Sequence, residues 1–232
     1  MLKNNTINIK VIEKVAKVLE EINDDVIYVG GAVVSFYVTD TGAEQPRPTK
    51  DIDISVQISS YAEMNQLSEK LATKGVYPAV DQKVIYRYEY KDILIDFIPY
   101  EKTPLGPTNS WLKPGFNKAY KIAVGDQTIK ILPVNYYIAT KWEAYKSRGG
   151  SDPRMSHDFE DIIYVLDNNI EVVENIKNSD SVLMSFLKEM ASEILQNPSR
   201  NEIIECHMNP FTANERITMI IDKLNKIKSI KP

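Results

Sequence analysis

Cysteine and histidine are almost missing from this chain: among 232 residues there is one Cys, Cys206, and two His, His157 and His207. A lone thiol cannot close an intrachain disulfide, and two distant histidines with one cysteine make no zinc site, so stability must come from a packed core. His157 reads as a surface residue and His207 as a helix-packing one. The chain also lacks any stretch of about 18 uncharged apolar residues that could span a bilayer. Its start, Met1-Leu2-Lys3-Asn4-Asn5, runs into an amphipathic segment without the apolar centre and cleavage site of a secretory signal. These absences lead us to expect a cytoplasmic protein with no membrane partner. Charge of one sign is lacking too: 28 basic against 32 acidic residues leave a net charge of −4. That balance excludes a protein that holds nucleic acid by bulk electrostatics alone. There is no internal repeat and no low-complexity tract.

What is present suffices for a sizeable core, since 43% of the residues are hydrophobic. Residues 7–22 carry apolar side chains at helical spacing, and 26–29 form a short apolar strand that delivers Gly30-Gly31 at its end. Residues 32–37 suggest a short helix and 39–48, rich in Thr, Gly and Pro, a loop. A β-branched strand follows over 51–58, then a helix over 61–74 with Ala62, Met64, Leu67 and Leu71 inward. Strands over 84–90 and 93–98 meet in a tight turn at Lys91-Asp92, and a second hairpin, 120–124 with 128–132, turns at Gly125-Asp126. Pro104, Pro107 and Pro114 mark an irregular segment between them.

After Pro133 the pattern turns helical: 134–148, 156–166 with Ser156 as N-cap, 182–195, 201–208 and 213–227. The expected division is a domain over 1–132 and a helical domain over 133–232. The Lys-rich end, 223–231, reads as a solvated helix terminus.

The most informative residues are acids. Asp51 and Asp53 point to one face of a strand while Ile52 and Ile54 point to the other. Asp96 sits inside the apolar run Ile93-Leu94-Ile95-Asp96-Phe97-Ile98. A carboxylate so placed costs several kcal/mol unless something positive compensates it, and divalent cations are the expected compensation. Two ions about 3.5–4 Å apart would neutralise a triphosphate and align an incoming oxygen with its α-phosphorus. Asp51 and Asp53 suit both ions. Asp96 suits the second and could take the proton from an attacking hydroxyl. Asp92 competes for the third carboxylate, but a turn explains an Asp at that corner.

Gly30-Gly31 can be an ordinary tight turn; beside the acids it becomes a place where backbone amides approach a nucleotide triphosphate. Ser35 and Thr49 are candidate nucleotide-binding residues, and Arg47 a supporting one. Lys141 and Arg148 lie two helical turns apart and share a face, which makes them a candidate cationic wall for triphosphate oxygens. Asp158 and Asp161 share a face of the next helix and could fix those cations by ion pairing. Tyr136, Tyr137 and Trp142 could stack a base, although aromatics in an amphipathic helix more often belong to the core.

Together Gly30-Gly31, Thr49-Lys50-Asp51-Ile52-Asp53 and Asp96 resemble the nucleotidyltransferase superfamily of the DNA polymerase beta type. A narrower likeness, to the AbiEii-type nucleotidyltransferases of abortive-infection and toxin-antitoxin modules, rests on the Arg-x-Thr-x-Asp-Ile-Asp phrase of Arg47 to Asp53. It rests also on Lys141-Trp142-Glu143-Ala144-Tyr145-Lys146-Ser147-Arg148 followed by His157-Asp158-Phe159-Glu160-Asp161-Ile162. The likeness covers about residues 26–166. It implies an α+β fold: a mixed, largely antiparallel sheet with packed helices, then an all-helical C-terminal half, with a nucleotide site between them. It implies an NTP cosubstrate and Mg²⁺, or Mn²⁺ in its place, with Asp51 and Asp53 as metal ligands. It further implies a hydroxyl acceptor, tRNA in the narrower family, and a cognate antitoxin as partner. Two departures are the long connection from Gly31 to Asp51 and His157 in a position the family usually fills with Lys.

Three functions remain open from sequence. One is an active transferase moving NMP from NTP to a hydroxyl, on tRNA or on a small molecule of the aminoglycoside type. Another is an inert nucleotide- or partner-binding module of the same fold, and the third a metal-dependent phosphohydrolase.

Overall fold

The structure, a computed structural model, describes residues 4–80, 84–107, 109–148 and 152–231. The chain divides into two compact units, residues 1–35 with 45–133 and residues 36–44 with 134–232.

The first unit is built on a seven-stranded mixed sheet in the order β3-β4-β5-β2-β1-β7-β6. Its strands are β1 (Val26–Val29), β2 (Asp51–Val56), β3 (Tyr77–Pro78), β4 (Arg87–Tyr90), β5 (Ile93–Pro99), β6 (Tyr120–Val124) and β7 (Gln127–Ile131). Most neighbours are antiparallel; β2 pairs in parallel with β5 and β1 with β7. The fold is therefore the expected α+β arrangement with a largely antiparallel sheet. β1 is buried along its whole length, as an apolar four-residue run in a sheet centre requires. β2 instead alternates at its start: Ile52 and Ile54 are buried, while Asp51 and Asp53 are half-buried on the opposite face.

Helix α1 (Asn4–Leu19) packs against β6 and β7. The apolar spacing predicts a helix to Ile22, but the chain tightens at Glu20 (φ 49°) into a 3-10 turn over Glu20–Asp25. There the Asn23 amide donates to the Ala16 and Glu20 carbonyls and its oxygen accepts from the Tyr28 hydroxyl. The 32–37 segment is likewise a 3-10 helix, Gly31–Tyr37. Helix α2 (Tyr61–Thr73) starts at a capping box between Ser60 and Glu63 and buries Met64 and Leu71. Ala62 is exposed, contrary to the predicted inward face, because two residues place it about 200° around the helix from the buried Met64. The β4–β5 hairpin turns at Lys91 (φ 57°) and Asp92, and β4 is shorter than predicted, beginning at Arg87. Residues 81–83, within the preceding connection, lie outside the described residues. The proline-marked segment includes a short helix, α3 (Leu112–Phe116).

The second unit is helical: α4 (Val134–Ser147), α5 (His157–Asn168), α6 (Val172–Lys177), α7 (Ser181–Gln196), α8 (Arg200–Glu205) and α9 (Ala213–Lys228). α4 packs on α5 and α7, and α7 on α9. Ser156 caps α5 by accepting from the Phe159 amide at 3.2 Å, as predicted. α6 was not predicted, since one and a half turns give too short an apolar period to read. The segment 36–44 folds onto these helices: the Thr39 and Asp40 amides donate to the Asn168 carbonyl, and the Asn169 amide donates to the Tyr37 carbonyl at 2.7 Å. Residues 39–44 are the expected loop, tied to the end of α5 by these bonds.

Lys223 corrects the reading of a solvated Lys-rich end. It is 9% exposed, and its ammonium donates to the carbonyls of Leu166 (2.6 Å) and Asn169 (3.0 Å), closing the C-terminus of α5. Burial pulls its pKa below the ordinary lysine value. No helix among the described residues is long and apolar enough to cross a membrane.

Candidate active site

Three adjacent strands bring the predicted acids together. In the parallel β2–β5 pair Asp53 lies in register with Asp96, and in the β1–β2 pair it lies opposite Val29. Asp51, Asp53 and Asp96 therefore share one sheet face at the end of β1, where the chain enters Gly30. That glycine has φ +71°, and a Cβ on it would lie 1.9 Å from the Asp53 Oδ2. Only a residue without a side chain lets the backbone pass the carboxylate so closely. Gly31, buried, opens the 3-10 helix, and on that helix the Ser35 Oγ is buried without a hydrogen-bond partner.

Asp96 is 5% exposed, and the charge that compensates it is a side chain that the motif reading missed. Arg87 forks onto it, Nε donating to Oδ1 and Nη2 to Oδ2, both at 2.7 Å. Nη2 also reaches the Asp51 Oδ2 at 3.2 Å. The fork on Asp96 raises the arginine's pKa above its ordinary value, against the opposing effect of burial. The guanidinium thus gives Asp96 a compensating charge from within the chain, beside the metal ion expected at that carboxylate. The signal for Arg87 was in the sequence. A two-residue turn at Lys91-Asp92 pairs Tyr90 with Ile93, and counting back along both strands puts Arg87 opposite Asp96, the register observed.

The donor chemistry of these side chains bears on whether they fit a divalent ion. Among the described residues no three His, Cys, Asp or Glu side chains converge as a ready ligand set. Asp51 and Asp53 nevertheless offer hard oxygen donors two residues apart on one strand face, which suits Mg²⁺ or Mn²⁺. Both oxygens of Asp96 are on Arg87. A cavity of about 190 Å³ beside Asp51 is lined by Thr49, Lys50, Ala32 and Asp92, so the rival Asp92 borders the site without joining the paired acids. Arg47 is half-buried just before this strand.

In the helical unit the structure brings Lys141, Arg148, Asp158 and Asp161 into one network. The Lys141 ammonium, 9% exposed as a side chain, lies 2.7 Å from Asp161 Oδ2 and 3.3 Å from Asp158 Oδ1. Arg148 reaches the other oxygen of Asp158 at 2.9 Å but remains 71% exposed. The ion pairing expected between the two helices is present. Tyr136, Tyr137 and Trp142 are buried core residues, with Tyr137 packed on Tyr37 at 4.4 Å between ring centroids. His157 is exposed beside Glu160, and His207 bonds the Pro153 carbonyl and packs on Phe159.

No protein-family model matches the sequence, and no curated protein does. Solved structures do resemble the fold. An antigenic nucleotidyltransferase-like protein from Paracoccidioides brasiliensis matches with a TM-score of 0.52 at 16% identity, over 90% of this chain and 96% of that one. JHP933 from Helicobacter pylori matches with a TM-score of 0.50 at 14% identity, over 98% and 93%. ANT(2")-Ia in complex with adenylyl-2"-tobramycin matches with a TM-score of 0.46 at 12% identity, over 80% and 99%. Likeness at such identities concerns the fold and leaves chemistry to the site residues. The chain has the fold of a nucleotidyltransferase-like protein.

Proposed function

We propose that this protein transfers a nucleoside monophosphate from an NTP to a hydroxyl acceptor, with Mg²⁺ as the working ion. The observation that carries the reading is the cluster of Asp51, Asp53 and Asp96 on one sheet face, beside a glycine whose backbone touches the Asp53 carboxylate. Asp51 and Asp53 hold the cation. When bound, the ion neutralises triphosphate oxygens and polarises the α-phosphate. Gly30 and Gly31 let the backbone approach the phosphates, with Ser35 and Thr49 as further donors and Arg47 supporting the strand entry. The acceptor oxygen bonds to the α-phosphorus, the bond to the β-phosphate oxygen breaks, pyrophosphate leaves, and the acceptor's proton goes to Asp96 at a lone pair that the Arg87 fork leaves open. In the helical unit, Arg148 is better suited than Lys141 to bind nucleotide phosphate, because the lysine's charge is already matched by two aspartates.

The narrower resemblance supports tRNA as the acceptor, and with it the role of a toxin held by an antitoxin. The experiment incubates purified protein with Mg²⁺ and each α-labelled NTP, offering bulk tRNA in one arm and aminoglycosides in another. Label on tRNA supports the whole reading, and label on the aminoglycoside moves the acceptor to small molecules. No label on either, on the protein itself or in a cell extract refutes transfer.

A further inference from the structure

The acids and Arg87 carry an inference about how many ions the site takes. It rests on the transferase reading above and sharpens it. The guanidinium is not a loosely swinging surface group. Its fork takes both oxygens of Asp96 at 2.7 Å, its side chain is 24% exposed, and strand pairing places Arg87 directly across from Asp96. A second divalent ion at Asp96 would have to displace a two-point, charge-assisted contact whose carboxylate is nearly sealed from water. At Asp51 the contest is different: a single Nη2 contact of 3.2 Å, on a carboxylate whose side chain is 36% exposed, is the weak edge of the fork.

We propose that Arg87 is the resident second cation of the site, so that the free protein binds one divalent ion, on Asp51 and Asp53, and keeps Asp96 on the guanidinium. Arg87 is a positioning residue: it holds Asp96 in place and sets the ion count. It opposes the bound ion through Asp51, so removing its charge strengthens ion binding.

Mn²⁺ titrated into nucleotide-free protein, with free ion counted by electron paramagnetic resonance, tests this. The wild type binds one Mn²⁺ per chain and Asp53→Asn abolishes it. Arg87→Met binds Mn²⁺ about tenfold more tightly or takes up a second ion, as loss of a nearby positive charge demands. Arg87→Lys, which keeps charge without the fork, keeps the count at one. Two ions on the wild type, or an Arg87→Met with the wild-type count and affinity, would overturn the proposal while leaving the transferase reading intact. Failure of the wild type to bind any Mn²⁺ overturns the proposal, while the transferase reading stands or falls on label transfer from NTP with Mg²⁺. The wild-type count decides the matter even if Arg87→Met does not fold.

Discussion

Replacing Lys141 with Met would expose how the helical unit holds its buried charges. The ammonium sits between Asp161 at 2.7 Å and Asp158 at 3.3 Å, with side chains 3% and 7% exposed. Met fills much the same volume, so packing changes little and the loss is electrostatic. Removing one member of a buried ion pair costs about 3–5 kcal/mol, because the carboxylate left behind has given up its water. Arg148 still reaches Asp158, but at 71% exposure its charge is screened and replaces little of the missing one. We therefore expect Lys141→Met to lose about 3 kcal/mol, against a total stability on the order of 10 kcal/mol. Asp161→Asn placed in the Met background should restore about 2 kcal/mol by removing the stranded charge, so the two substitutions are strongly coupled. Urea unfolding followed by Trp142 fluorescence in a Trp111→Phe background reports on α4 directly. A loss under about 1 kcal/mol, or no recovery on adding Asp161→Asn, would refute the view of Lys141 as the neutralising centre of this network.

Two further substitutions test local arguments. Gly30→Ala places a methyl 1.9 Å from the Asp53 Oδ2 at φ +71° and should displace that carboxylate; Mn²⁺ binding and transfer should fall at least about tenfold, with a backbone cost of about 1–2 kcal/mol and unchanged circular dichroism. Wild-type Mn²⁺ affinity in this variant would show that the close approach is irrelevant. Asp180→Ala removes the N-cap of α7, whose carboxylate accepts from the Leu183 and Val182 amides, and should cost about 1 kcal/mol at neutral pH. The Leu183 amide bond, with help from Tyr136, lowers the Asp180 pKa in the folded state. Its stabilisation is thus complete above the unfolded value of about 3.9 and is lost as pH falls through the lower folded value. The gap between wild type and Asp180→Ala in thermal melts should narrow below about pH 4, and a gap independent of pH down to about 2 would contradict the cap assignment.

Much of the fold was legible because its signals are local. The alternation of Asp51-Ile52-Asp53-Ile54, the turn at Gly125-Asp126 and the Ser156 cap each depend on a few neighbouring residues, and each is where it was read. What was not legible depends on partners distant in sequence. Lys223 looked like one of several solvated lysines, and only the tertiary meeting of α9 with the end of α5 turns it into a buried cap. Arg87 is the instructive case: its pairing with Asp96 lies in the register of the hairpin turning at Lys91-Asp92, which no short motif around either residue displays. Gly30 shows the reverse. Its place in the glycine pair was readable, while the reason no side chain fits there, the Asp53 carboxylate, needed the β1–β2 pairing.

The central claim is that Asp51 and Asp53 hold the ion that makes nucleotidyl transfer possible. Asp53→Asn keeps the shape and the strand position but removes the charge. The most direct test compares label transferred from NTP in the presence of Mg²⁺ by the wild type and by Asp53→Asn, with matching circular dichroism and melting curves. The account predicts transfer by the wild type and none by the variant; equal transfer by both would contradict it.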